Sequence, residues 1–235
     1  MRSRKAGVYL TSETEEDRYL PEGPRLMTLD GKKVLAWVNI QRGANDKTGT
    51  IFAHYLEGTR KLLCLPCPGR PGFILPLDGG DRALVGVEKE LRIANLAAGT
   101  WSEPLARIPD DNPRTIINDA EIVPGGKAVV FGTKDTIFKE QIANLYLYTI
   151  ADNRVSLLAD KQLCSNGKVF QSDSQGLILF DIDTPTRKVM RYRLDLAAGT
   201  AKPDGVAIDL ADQIGFPDGM CDAGNGTVII AFYNP

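Results

Sequence analysis

Asp30-Gly31-Lys32-Lys33-Val34-Leu35-Ala36-Trp37-Val38-Asn39-Ile40 is a glycine-containing turn that opens onto a strongly apolar run. Asp-Gly is a tight-turn signal, and a short run rich in Val, Leu, Ile and aromatic residues reads as a strand. The unit returns four more times. Gly79-Gly80 precedes residues 83–87, Gly125-Gly126 precedes 128–131, Gln175-Gly176 precedes 177–180, and Asn225-Gly226 precedes 227–232. From Gly31 the turn glycines step by 48, 47, 50 and 50 residues, a period that fits propeller blades of four short strands. A second echo agrees: Ala97-Ala98-Gly99-Thr100 recurs as Ala197-Ala198-Gly199-Thr200, two periods on. The prediction is an all-β fold, a β-propeller of about five blades, forming one domain over residues 1–235. A two-sheet sandwich has no need of such even spacing.

Composition narrows the function. Of 235 residues, 43% are hydrophobic and 25% charged, as expected for a chain that buries a sizeable core. Twenty-eight basic against 30 acidic residues leave a net charge of −2, and no long run of Lys or Arg marks a nucleic-acid groove. No apolar stretch reaches membrane-spanning length, and the basic start at Met1-Arg2-Ser3-Arg4-Lys5 leads into no full signal core. The expectation is a cytoplasmic protein with neither a nucleic-acid nor a membrane partner. Cys64 and Cys67 form one Cys-x-x-Cys pair, but Cys164 and Cys221 stand alone, so ordinary reduced thiols are expected rather than a zinc site.

In a propeller the first strand of each blade lines the axis. Eight to ten residues ahead of each turn glycine stand Glu22, Arg70, Asn118, Asn166 and Asp218. Singly, Asn-Gly and Asp-Gly are turn signals; a turn residue, however, has no reason to keep step with the blade period. Two carboxylates and two amides aimed at one axis would crowd like charges in a partly desolvated channel. Glu22, Asn118, Asn166 and Asp218 around a hard divalent cation relieve that cost, since all-oxygen donor sets suit Ca²⁺, Mg²⁺ or Mn²⁺, with Zn²⁺ still open. Arg70 offers a second solution, a guanidinium counter-charge with no metal, or alternatively a group that binds a substrate anion. A Ser-His-Asp triad is not expected: His54 is the single histidine and lies in the strand-like stretch 51–56, out of phase with the channel.

Taken in order, Pro21-Glu22-Gly23-Pro24, Trp37-Val38-Asn39-Ile40, Ile117-Asn118-Asp119-Ala120, Ser165-Asn166-Gly167, Asp183-Thr184-Pro185-Thr186-Arg187 and Phe216-Pro217-Asp218-Gly219-Met220 resemble the regucalcin/gluconolactonase (senescence marker protein) family over nearly the whole chain. The resemblance implies a six-bladed propeller with one divalent metal, held by residues matching Glu22, Asn166 and Asp218, and with Asn118 helping to hold substrate or metal. It implies hydrolysis of sugar lactones or related esters, with the cation polarising the carbonyl and activating water and Asp218 as base. Ca²⁺ is the first expectation for the metal. Two departures stand out. Ile116 occupies the place of a substrate-contacting arginine, and the chain ends more than a blade short of the family pattern. Closure of a shorter ring by a strand at residues 7–11, self-association through an open sheet edge, and a longer parent protein are the alternatives that follow. A non-catalytic propeller that binds metal or protein is the second functional reading.

Overall fold

The structure, a computed structural model, describes residues 7–11, 14–57 and 62–234. After a 3-10 turn at Glu16–Arg18 the chain forms five antiparallel sheets in sequence order. The first is β1 (Pro21–Leu29), β2 (Lys32–Asn39), β3 (Thr50–Tyr55) and β4 (Leu62–Pro66). The second is β5 (Pro71–Leu77), β6 (Arg82–Val87), β7 (Glu90–Asn95) and a divided outer strand, β8 (Thr100–Trp101) and β9 (Ala106–Arg107), whose two pieces both pair with β7. The third is β10 (Thr115–Ile122), β11 (Ala128–Asp135), β12 (Ala143–Thr149) and β13 (Arg154–Gln162). The fourth is β14 (Ser165–Asp173), β15 (Gly176–Asp183), β16 (Lys188–Asp195) and β17 (Thr200–Asp209), with a 3-10 turn at Thr184–Thr186 after β15. Among the described residues the fifth has two strands, β18 (Phe216–Gly224) and β19 (Thr227–Tyr233).

The repeat read from the sequence is the first hairpin of each sheet. Gly31, Gly79, Gly126, Gly176 and Gly226 all take positive φ, between 61° and 126°, a region that costs a glycine little and other residues much. The Ala-Ala-Gly-Thr echo is an outer hairpin used twice. In both copies a side-chain oxygen two residues ahead, Asn95 or Asp195, accepts the N–H of the second alanine, Ala98 or Ala198, at 3.0 and 2.9 Å. The following glycine has φ +67° in both.

The core lies between sheets rather than inside one. Leu145 and Leu147 on β12 pack toward the fourth sheet, while Tyr146 and Tyr148 on the same strand pack toward the second. Ala83 and Val85 face the first sheet and Leu84 the third. Strands sandwiched on both faces therefore read as unbroken apolar runs, without polar alternation. The fifth sheet differs: Val228 and Ile230 pack against the fourth, whereas Ile229 and Tyr233 on the other face are each 60% exposed. Residues 7–11 form no strand. The expectation that they close the ring does not hold, since the segment makes no ladder with any sheet.

Candidate axial site

In every sheet the register between the innermost strand and its neighbour slips at the same place. The slips fall at Glu22/Arg25, Pro71/Phe73, Ile117/Ala120, Asn166/Lys168 and Pro217/Met220. Such a bulge sets an extra residue against the partner strand, bends the strand and re-aims the side chain beside it. Two of the bulge glycines are also close-approach points. A Cβ on Gly72 would run into the carbonyls of Ile117 and Asn118, and one on Gly167 into the backbone of Asp218 and Met220. The inner strands thus crowd together where the polar residues stand.

Two cavities of about 380 Å³ each are lined by the same four side chains, Glu22, Asn118, Asn166 and Asp218. The four therefore form the waist between them. The first cavity adds Lys134, Cys164 and Thr184 and is flanked by the exposed rings of Tyr19, Phe138 and Tyr233. The second adds Asp119, Met220 and Cys221.

The amides are held in a hydrogen-bond chain that crosses three sheets. Asn118 Nδ2 donates to Asn166 Oδ1 at 2.8 Å and to the Ser165 carbonyl at 3.0 Å. Asn166 Nδ2 donates to Thr184 Oγ1 at 2.8 Å, and that hydroxyl donates to the Pro217 carbonyl at 2.8 Å, one residue before Asp218. Because its nitrogen is committed to Thr184, Asn166 presents its oxygen to the waist. Behind it Lys168 Nζ donates to the Asn166 carbonyl at 3.0 Å and lies 3.3 Å from Asp181.

Electrostatics at the waist are unbalanced. Burial pushes the Glu22 carboxyl up to about 8; the Asp218 charge adds to this and Asp119 adds less, while Lys134 pulls the other way. Burial, then Asp119, pushes Asp218 up to about 6, again with Lys134 opposing. Burial likewise pushes the Cys164 thiol up to about 12, which leaves it a poor thiolate ligand. Two half-buried carboxylates short of positive charge, beside an amide oxygen held in place, are a donor set that fits a hard divalent cation. Among the described residues no three His, Cys, Asp or Glu side chains form a ligand cluster, so an ion at the waist would draw on amide oxygen as well as on the two carboxylates.

The sequence model described as the SMP-30/gluconolactonase/LRE-like region matches residues 20–235. The chain belongs to this family. It is 31% identical over 118 residues to the Bacillus subtilis protein YvrE, which carries the name of a sugar lactone lactonase; the match covers 49% of this chain and 38% of YvrE. It is 28% identical over 134 residues to Xenopus laevis regucalcin, covering 55% of this chain and 44% of that protein. The matches thus span under half the length of these relatives. Among solved structures, the calcium-binding regucalcin of Agrobacterium tumefaciens superposes with a TM-score of 0.72 at 24% identity, over 91% of this chain and 68% of that one. A luciferin-regenerating enzyme gives 0.73 at 19% identity, over 91% and 69%. These two likenesses establish the fold, a propeller of the family's type.

Two family-related expectations can be placed on this geometry. Ile116, where the resemblance implies an arginine, is buried, and its cross-strand partner in the β10–β11 ladder is Lys134. Arg70 is not brought to the waist. It stands one residue ahead of the bulge at Pro71/Phe73, lines neither cavity, and makes a bidentate pair with Glu88 at 2.8 and 2.9 Å. A one-residue offset turns a strand side chain to the other face, which is why reading the period to within one or two residues misplaced it. His54 lies on β3, buried and away from both cavities.

Sequence reasoning missed Lys134, Asp119 and Thr184. Lys134 stands near the end of the second strand of its hairpin and Thr184 just after the second strand of another, so a search of inner-strand phases passes over them. Asp119 had a signal, the bulge residue directly after Asn118. Cys164, the residue before β14, lies beside Asn166, whose Nδ2 is 3.5 Å from its sulfur.

Proposed function

We propose that this chain carries the site of a divalent-metal-dependent hydrolase of sugar lactones or related esters. The observation that supports this reading is the half-buried Glu22–Asp218 pair at the waist of two cavities, in a chain of the gluconolactonase-related family. Glu22, Asn166 and Asp218 are the proposed ligands. A divalent cation there would act as a Lewis acid on the lactone carbonyl. The Agrobacterium relative is described as calcium-binding, and the all-oxygen donor set makes Ca²⁺ the first ion to test, ahead of Mg²⁺, Mn²⁺ and Zn²⁺.

Asp218 takes the proton of the attacking water as its oxygen bonds to the carbonyl carbon, a role that needs hydrogen-bond reach and a carboxylate ionised near neutral pH. The ring C–O bond then breaks, and the proton passes to the departing alkoxide, so the product is a hydroxy acid. Asn118, tethered to Ser165 and Asn166, orients the substrate oxygen. The exposed Tyr19, Phe138 and Tyr233 rings flank the cavity through which a ring-shaped substrate would enter.

The test is a panel of sugar lactones assayed with each cation, alongside Asp218→Ala. Turnover that needs added cation and disappears in the variant supports the proposal; no turnover above the variant with any cation sinks it. The second reading is a propeller that binds metal without catalysis, favoured by Ile116 standing where the resemblance implies an arginine. Cation binding by calorimetry with a blank lactone panel would decide for it.

A further inference from the structure

Lys134, one residue before the end of β11, lies opposite Ile116 and forms a backbone β-bridge with Cys164, the residue before β14. It lies on the wall of the first cavity and is only 7% exposed. Among the described residues its ammonium donates no hydrogen bond, and no Asp or Glu oxygen comes within the 4.0 Å of an ion pair. It is nevertheless close enough to act electrostatically on Glu22, Asp218 and Cys164. Among the described residues no other Lys or Arg lines this cavity. An ammonium keeps three donors, and on this cavity wall they are open to whatever enters the cavity.

The other lysines of the inner fold are not left so. Lys89 donates to Asp110 O, Asn112 O and Thr115 Oγ1 at 2.6, 2.6 and 3.1 Å. Lys168 is similarly engaged with Asn166 and Asp181. A lysine retained for balance alone would sit against its carboxylates; Lys134 stands off from them, with the cavity beside it.

The geometry points to Lys134 as the anion-binding residue of the axial cavity, taking a carboxylate oxygen of a sugar acid. Two sources supply that chemistry: a free carboxylate carried by the lactone, or the carboxylate that ring opening releases. The assignment deepens the lactonase reading and rests on it for the identity of the ligand as a sugar acid. The binding step itself needs no turnover.

The probe is gluconate, with the uncharged polyol glucitol as its control, titrated by calorimetry into the full chain without added metal. Lys134→Met keeps the length and apolar stem of the side chain, and Lys134→Arg keeps the charge. The wild type and Lys134→Arg should bind gluconate in preference to glucitol, and Lys134→Met should lose about tenfold or more in gluconate affinity, the loss expected for one charge-assisted hydrogen bond. Glucitol should be indifferent to the substitution. Gluconate affinity unchanged in Lys134→Met, with the melting temperature kept, overturns the assignment. So does equal weakening of gluconate and glucitol.

Steady-state kinetics separate the two sources. If the free carboxylate is the ligand, Lys134→Met raises KM for glucaro-1,4-lactone and not for glucono-1,4-lactone. If the released carboxylate is the ligand, the variant weakens product inhibition alike for both. A blank lactone assay with gluconate binding intact refutes the hydrolase and leaves Lys134 as an anion site.

Discussion

Two lysines are buried near the axis, and the protein treats them in opposite ways. Lys168 and Asp181 have fully buried side chains 3.3 Å apart. Asp181 also accepts from Ser165 Oγ at 2.9 Å and from Gln162 Nε2 at 2.6 Å, while Lys168 reaches the Asn166 carbonyl. Lys134 shares its cavity with Glu22 and Asp218, stays beyond ion-pair reach of both, and leaves them pushed up to about 8 and about 6. The fold can evidently satisfy a buried lysine when the task is to hold a strand in place. A charge that faces a cavity without a protein partner marks a place open to something from outside. The closed group positions Asn166; the open group is the proposed ligand site.

The contrast can be tested from both ends. At the open end, Asp218→Ala should lower kcat for a sugar lactone by about 10²–10⁴-fold, the usual worth of a general base, while circular dichroism shows an unchanged fold. At the closed end, Asp181→Ala should remove about 3–5 kcal/mol of stability by stranding Lys168, read from the denaturant midpoint. The double change Lys168→Met with Asp181→Leu should recover most of that loss. An equal loss from Lys134→Met would erase the distinction between the two groups.

A divalent cation should stabilise the chain by about 2.7 kcal/mol at a hundred times its Kd. The shift in melting temperature should vanish in Glu22→Gln. Without cation, pH should act in a defined direction. The folded chain holds a proton on Glu22 up to about pH 8, whereas the ordinary value is 4.5. The folded state therefore binds more protons, and stability falls as pH rises from about 4.5 to about 8, then levels. Asp218 adds a fall of the same sign from 3.8 to about 6. Glu22→Gln should flatten the upper part of this slope in urea titrations at a series of pH values. The smallest effect is expected at Arg70. Its pair with a partly exposed Glu88 should be worth at most about 1 kcal/mol, and Arg70→Ala should leave lactone turnover within about twofold of the wild type.

How much of this was legible beforehand depends on where each residue sits in its blade. Glu22, Asn118, Asn166 and Asp218 lead the innermost strands, and each lies at the bulge that recurs in all five sheets. Their common phase was visible as a spacing. Arg70 shared that spacing and fails because the bulge of its own sheet begins one residue later. Residues 7–11 are apolar enough to read as a strand yet form none, since an isolated strand gains little without a neighbour's open edge.

What the sequence determined by itself is the circular repeat: a turn glycine at a near-constant step sets each hairpin, and equal blades place their leading residues around one axis. The tertiary structure alone decided which charges face each other across that axis. Lys134 reaches the cavity from the end of a second strand, and Thr184 reaches Asn166 from a turn beyond another. Their positions depend on bulge register and on packing between sheets, interactions between residues far apart in the chain that leave no period in it.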